Sequence, residues 1–261
     1  MRNRSYLVAL GLGALLINAA RAGAQALPAE DHGVEFGVMF WRPSPVLVLS
    51  TTALSGAGVE SVDFVKEFGI EEQYFPEFRA AIGFRHKIRV SYVSLKYQAD
   101  TTIQGTFRFR NRTFTIGAPA SADVKWNLWT FGYEWDFLTR ERGYVGFLTD
   151  LKRNSVAASV DSPLLASAAT TDTAATVPTF GGIARVYLAP MLAVTAEFTG
   201  VNYNRGFEVE LTDFDVYGTL SFGKHLAAQG GYRSLAINYL VNDDSGVLKV
   251  KGPYVGAMVR F

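Results

Sequence analysis

The chain of 261 residues contains no cysteine. That absence excludes a disulfide framework, a thiolate zinc site, a thiol nucleophile and an acylated lipoprotein N-terminus. Histidine is scarce, at three residues, which leaves few candidates for a general base working near neutral pH. Beyond the N-terminal segment no run of 18 or more apolar residues occurs, so the pattern of a helical membrane protein is missing. A net charge of +1 gives no support to a nucleic-acid-binding surface. What the chain does have is 49% apolar against 19% charged residues, 13% aromatics and 25 glycines. That length suits a single β-domain as well as two smaller domains.

Residues 1–24 read as a secretory leader. Arg2 and Arg4 precede an apolar stretch from Tyr6 to Ile17 that is too short to cross a bilayer. The small-residue cleavage signals Ala22-Gly23-Ala24 and Ala24-Gln25-Ala26 overlap, so the cut falls after Ala24 or after Ala26. Residues 25–32 then form a linker and residues 33–261 the mature domain. Export without cysteine fits the periplasm, the outer membrane or the medium.

The mature sequence alternates with period two, the signature of half-buried strands. Val34, Phe36, Val38 and Phe40 share one face; Glu35, Gly37, Met39 and Trp41 share the other. The pattern returns at Phe78–Phe84, Trp129–Phe137, Leu192–Phe198 and Phe214–Phe222. Ten strands are expected, at 33–48, 74–84, 87–103, 124–138, 143–156, 179–189, 191–205, 213–223, 227–241 and 247–261. Eight strands with a hairpin at 104–116 is the competing count. Connections alternate between tight turns (Arg85-His86, Thr139–Arg142, Pro190, Lys224–Leu226) and longer loops (49–73, 104–123, 157–178, 206–212 and 242–246). One stretch conflicts with the pattern: between Ala227 and Tyr239, Gln229 and Arg233 share parity with Leu235 and Ile237, as a β-bulge would explain.

The chain ends on an alternating strand, GPYVGAMVRF, in which Pro253, Val255, Ala257, Val259 and Phe261 lie on one face. Here the sequence resembles the bacterial outer-membrane β-barrel families, and among them the small OmpA-like and OmpW-like proteins. The resemblance implies an all-β, transmembrane, antiparallel up-and-down barrel of about ten strands, located in the outer membrane. It implies that the last strand closes the barrel against the first. It also implies that Pro253, Val255, Ala257, Val259 and Phe261 form a C-terminal signal read by the barrel-assembly machinery. Outer-membrane lipid and lipopolysaccharide are the surrounding partners it implies. It names no subfamily, cofactor or catalytic residue.

Parity places charges inside such a barrel: Glu35, Glu77, Glu134, Asp136, Asp150, Glu197 and Asp215 against Arg79, Arg89, Lys152, Arg185, Arg233 and Arg260. A selective pore concentrates one sign of charge at its constriction, whereas near balance favours mutual pairing and a largely closed lumen. The functional reading is a structural or surface-interaction barrel, with a narrow channel for ions or small solutes as the alternative. An enzyme is not expected. His32 precedes the first strand, and His86 and His225 fall in tight turns, away from the loop-side rim where an outer-membrane hydrolase would work.

Five further readings concern the surface. Trp126, Trp129, Tyr133, Trp135, Phe137 and Tyr144 are candidates for interfacial girdles. Val62, Val65, Phe68 and Ile70 are spaced for a short helix within 61–72, favoured on the outer rim over a plug in the mouth. The Ala-, Ser- and Thr-rich 157–178 has little to bury and is expected to be a mobile loop. Arg108, Arg110 and Arg112 form a basic stripe suited to lipopolysaccharide phosphates. Asp213 and Asp215, with Asn242, Asp243 and Asp244, supply oxygen ligands near the outer end but are ordinary turn formers too.

Overall fold

In the computed structural model the described residues are 32–52, 59–103, 107–109, 112–114, 117–163, 168–204, 208–241 and 244–261. The leader and nearly all of the linker lie outside them. The strands are β1 (Val34–Trp41), β2 (Ser44–Thr52), β3 (Val59–Asp63), β4 (Phe75–Gly83), β5 (His86–Thr102), β6 (Phe107–Phe109), β7 (Arg112–Phe114) and β8 (Pro119–Arg140). They continue with β9 (Gly143–Asp161), β10 (Ala169–Ala189), β11 (Leu192–Asn204), β12 (Glu208–Phe222), β13 (Leu226–Val241) and β14 (Asp244–Arg260). One helix, α1 (Phe64–Phe68), stands between β3 and β4.

Every neighbouring pair is antiparallel, and the sheet closes where β14 meets β1 and β2. β1 and β2 are two halves of one bent strand, and β3 and β4 are two segments of the next, so the wall has ten staves. β6 and β7 form a separate hairpin above it. The bend has a local cause. Pro43 has no N–H for the ladder, and a Cβ on Gly252, directly across, would overlap the Arg42 carbonyl. Only glycine lets the two strands approach so closely there. Trp41 Nε1 donates to the Gly252 carbonyl at 3.1 Å and pins the corner.

The tight turns stand at one end, the turn end, together with Gly33 and the C-terminal Phe261. The loops stand at the other. Phe261 N–H donates to the Val34 carbonyl at 2.9 Å, and Gly33 N–H donates to the Phe261 carbonyl at 2.7 Å. Pro253, Val255, Ala257, Val259 and Phe261 point outward, with Phe261 68% exposed.

Two sequence expectations change at the loop end. Residues 157–178 are mostly strand: Ala158 pairs with Thr171 and Val160 with Ala169 in an unbroken ladder. Small and β-branched side chains that bury little still suit a hairpin whose backbone is paired. Likewise 119–123 belongs to β8 and not to a loop.

The reason the strands run so far is a reversal of polarity along the barrel. β8 has 22 residues, about twice what a tilted strand needs to cross a membrane. Its outward residues Trp129, Phe131, Tyr133, Trp135 and Phe137 are apolar or aromatic, while Thr130, Glu134 and Asp136 face in. Beyond Trp129 the arrangement inverts: Asn127, Lys125, Asp123 and Ser121 face out, and Leu128, Trp126, Val124 and Ala122 are buried inside. The turn-end half is therefore built for lipid outside and polar contacts within. The loop-end half is built for water outside and an apolar core within, as in a soluble barrel.

This inversion resolves the parity conflict in β13. Its ladders are continuous, from Leu226 to Leu240 against β12 and from Leu226 to Val241 against β14, with no bulge. Gln229, Arg233, Leu235 and Ile237 all face the interior and are buried, because the interior itself changes from polar to apolar at Ser234. Trp126 and Tyr144 are corrected too: both face inward and are buried, Trp126 in the apolar cluster and Tyr144 against Lys87, so neither is a girdle residue. Trp129, Trp135 and Phe137 are exposed on the outer face.

Candidate functional site: a filled lumen

The interior is occupied in two layers. Toward the turn end lies a network of ion pairs drawn from the staves around the barrel. Glu77 on β4 meets Arg233 on β13 at 2.6 Å and Arg79 at 3.0 Å. Asp213 on β12 accepts from Arg233 Nε and Nη2 at 3.0 and 2.8 Å and from Lys152 Nζ on β9 at 2.7 Å. Lys152 also meets Asp150 at 3.3 Å. Arg79 meets Asp215 at 3.1 Å, and the Tyr254 hydroxyl donates to that carboxylate at 2.9 Å.

A second set crosses the opposite chord. Lys87 lies 2.7 Å from Glu134 and 3.0 Å from Asp136. Arg89 lies 3.1 Å from Glu134 and 2.6 Å from Glu197, which also accepts from the Tyr217 hydroxyl at 2.7 Å. Arg185 donates from Nε to Thr195 Oγ1 at 2.9 Å. Arg260, near the chain terminus, donates to Ser221 Oγ at 2.7 Å and lies 3.1 Å from His32 Nε2. Glu35 lines the residual cavity beside these groups.

All thirteen charged residues singled out from the sequence face the interior or line its cavity. Two more belong to the network. Lys87 shares the parity of Arg89 and was legible from it. Asp213 shares the parity of Asp215, so neither carboxylate lies near the outer end; both are buried in the lumen against Lys152, Arg233, Arg79 and Tyr254. Asn242 and Asp243 lie outside the described residues. Among the described residues no cluster of three or more His, Asp or Glu is arranged to hold a metal ion. Tyr217 and Tyr254 carry no sequence signal beyond inward parity, and Tyr144 is read from the sequence as a girdle residue. They insert hydroxyls and ring faces between the ions: Lys87 stands 4.5 Å from the Tyr144 ring centroid and Arg79 4.7 Å from that of Tyr254.

Glycine makes room for one of the acids. A Cβ on inward-facing Gly132 would overlap Asp150 Oδ1. Gly132→Val is expected to push Asp150 off Lys152 and lower stability by about 1–3 kcal/mol, the usual cost of overpacking. The midpoint of heat-dependent gel mobility in detergent measures it, and an unchanged midpoint would refute the crowding.

Toward the loop end the second layer is apolar. Leu47, Val62, Phe64, Phe68, Leu95, Tyr97, Trp126, Leu211, Ile237 and Val250 belong to one buried cluster. Helix α1 is part of it. Asp63 caps the helix, its Oδ1 accepting from the Val65 and Lys66 N–H groups at 3.1 and 3.2 Å. Gly69, at φ 67°, ends it in a left-handed turn that favours glycine. Phe64 and Phe68 stack at 5.7 Å and are almost wholly buried. The apolar part of the segment, from Val62 to Ile70, thus packs into the mouth, contrary to the rim placement, while Glu71 and Glu72 stay exposed. Trp41 joins the two layers, with the Arg233 guanidinium 5.4 Å from its ring centroid.

The cavity left between the charges has a volume of about 110 Å³, below the roughly 300–1,000 Å³ of pockets that take organic ligands. The three histidines are at the turn end: His86 lies 2.6 Å from the Tyr133 hydroxyl, His225 lies 3.0 Å from the Arg260 carbonyl, and His32 lies beside Arg260. On the loop end Arg108 and Arg112 lie on the β6–β7 hairpin; Arg110 lies outside the described residues.

No family model matches the chain, and no curated protein matches its sequence. Solved structures do. The outer membrane protease OmpT from Escherichia coli superposes with a TM-score of 0.63 over 91% of this chain and 99% of its own, at 8% identity. Neisserial surface protein A gives 0.37 over 88% and 97%, at 15% identity. The transport unit of the autotransporter AIDA-I from Escherichia coli gives 0.39 over 96% and 98%, at 10% identity. The OmpT likeness is one of fold alone: a closed ten-stranded barrel of the kind found in bacterial outer membranes.

Proposed function

We propose that the chain is an exported outer-membrane protein whose turn end faces the periplasm, and that it works as a closed barrel with a structural or surface-interaction role. The single observation that carries this reading is the double filling of the lumen. An ion-paired layer spans the membrane-embedded half, and an apolar layer with α1 fills the half beyond it. Oppositely charged groups at 2.6–3.3 Å neutralise one another and leave no single-sign ring to select an ion. The inverted outer half supports the loops on a packed, soluble-type core. Such a platform suits presentation of a surface to lipids or to other molecules.

A peptidase role like that of the OmpT structure finds no histidine near the loop-end mouth among the described residues. Turnover of peptides by intact cells is not expected.

Planar-bilayer conductance of the refolded protein tests the closed reading. A silent bilayer is expected, with folding verified by heat-dependent mobility. Reproducible unitary steps would overturn it in favour of the narrow channel, and substitutions of Arg79 or Glu197 would then shift ion selectivity.

A further inference from the structure

The outer surface just beyond the apolar band is divided by charge. On the sector made by β14, β1, β5, β8 and β9, the outward residues include Lys249, Lys251, Arg42, Lys96, Lys125 and Arg153, all exposed. β4, which lies between β1 and β5, is preceded in the chain by exposed Glu71, Glu72 and Tyr74 and carries Pro76 outward. On the opposite sector, β10 to β13, the corresponding outward residues include Asp172, Glu208 and Glu210, with no lysine or arginine among the described residues.

Within the basic sector one arrangement works against stability. Lys96 and Lys125 stand directly opposite each other across the β5–β8 ladder, and like charges in that position repel. Lys96, Lys125 and Arg153 form no ion pair among the described residues. Asp123, next along the same face, accepts instead from Gln98 Nε2 at 2.8 Å. Arg42, at the far edge of the sector, has its own carboxylate in Glu72 at 3.4 Å.

Immediately toward the apolar band is an aromatic platform. The rings of Tyr92 and Trp129 are 4.4 Å apart, and Trp129 and Phe131 stack at 5.9 Å. Trp129 is paired with Arg153. Cations that form no ion pair among the described residues, Lys96 and Lys125 beyond a ring platform and Arg153 level with it, at the boundary between apolar and polar surface, match an amphiphile with anionic groups at its head.

We propose that this face binds the phosphorylated headgroup of an outer-leaflet lipid. Lys96, Lys125 and Arg153 hold the phosphate, and the Tyr92–Trp129 platform lies against the junction of headgroup and acyl chains. The assignment rests on the membrane orientation given above. It moves the phosphate contact from the β6–β7 hairpin arginines to the barrel wall.

The test uses the full chain refolded in zwitterionic detergent and titrated with diphosphoryl lipid A, read as the midpoint of heat-dependent mobility. The midpoint is expected to rise with lipid A and not with the same concentration of inorganic phosphate. Lys96→Gln with Lys125→Gln is expected to raise the midpoint in the absence of lipid, because the repulsion is gone, and to weaken the lipid response at least tenfold. Glu208→Gln with Glu210→Gln, on the opposite sector, is expected to leave the lipid response unchanged. A wild-type response in the lysine double variant overturns the proposal. So does an equal response to inorganic phosphate, which marks an adventitious anion only, or to lipid A stripped of its phosphates, which marks acyl binding only. Loss of heat-dependent mobility in the unsubstituted protein would instead overturn the membrane-barrel reading itself.

Discussion

Asp213→Ala is expected to lower the stability of the folded barrel by about 3 kcal/mol, at the lower end of the range for removing one partner from a buried ion pair. Asp213 accepts three charge-assisted bonds, two from Arg233 and one from Lys152, and its side chain and that of Lys152 are 8% and 3% exposed. Truncation leaves two buried cations short of a carboxylate. The loss stays at the lower end because each keeps one: Arg233 retains Glu77 at 2.6 Å and Lys152 retains Asp150 at 3.3 Å. Removing charge in matched pairs separates this account from simple loss of packing. Asp213→Leu combined with Arg233→Met takes out one acid and one base, and replacement of a buried pair by apolar groups is often close to neutral. The double variant is therefore expected to be more stable than Asp213→Ala. Urea unfolding in micelles, followed by tryptophan fluorescence, measures both. If the double variant loses as much as or more than the single one, charge balance is not what holds the lumen. High salt is expected to change the single-variant loss little, because buried pairs are weakly screened.

The barrel was legible in the sequence because a strand has only two faces, and one of them had to meet lipid. Phe36 and Phe40, or Trp135 and Phe137, declare that face directly. The closure was implied by the resemblance of the GPYVGAMVRF strand to those of outer-membrane barrels, and β14 does pair with β1. The lumen charges followed from parity alone: once Phe78 points out, Glu77 and Arg79 point in. What parity did not convey is which environment lies on each side. Arg233 and Leu235 have the same parity and the same burial but sit in different layers, and only the position of the membrane boundary along β13 distinguishes them. Trp126 has the same inward parity as Glu134, yet it lies in the apolar layer and Glu134 in the ionic one. The strands were read too short at 157–161 and 169–178 because Ala, Ser and Thr lack the large apolar side chains that mark a lipid-facing strand. Beyond the membrane no such side chains are needed outside. The rim is favoured over the plug in the sequence because helical spacing of Val62, Val65, Phe68 and Ile70 specifies an amphipathic segment and not where its apolar side goes. The interruption of the second stave between Asp63 and Phe75, which turns the segment inward, is a property of the pairing and not of local sequence.

Phe64→Ala is expected to be among the most damaging apolar truncations, costing about 3–5 kcal/mol, while leaving the bilayer silent. The stability loss follows from its burial at 0% exposure within the loop-end cluster and its stack on Phe68. A cavity opened in a packed core adds to the lost transfer free energy. Phe40→Ala makes the comparison, because Phe40 faces outward at 51% exposure. Fluid acyl chains close around a truncated side chain, so only the transfer contribution is lost there and the cost is smaller. The silence has a separate cause. The plug and the ion-paired layer are stacked along the barrel axis, and Trp41 against Arg233 marks where they meet. Opening the apolar layer exposes the Glu77–Arg233–Asp213 network to water from the loop end but does not separate its members, which are drawn from β4, β13 and β12 across the barrel. Unfolding in urea reads the first effect and single-channel recording the second. A Phe64→Ala protein that is destabilised yet conducts would show that the charges beneath are permeable and that α1 alone closes the barrel. A protein that is destabilised and silent would show that the ion-paired layer seals the barrel without the plug.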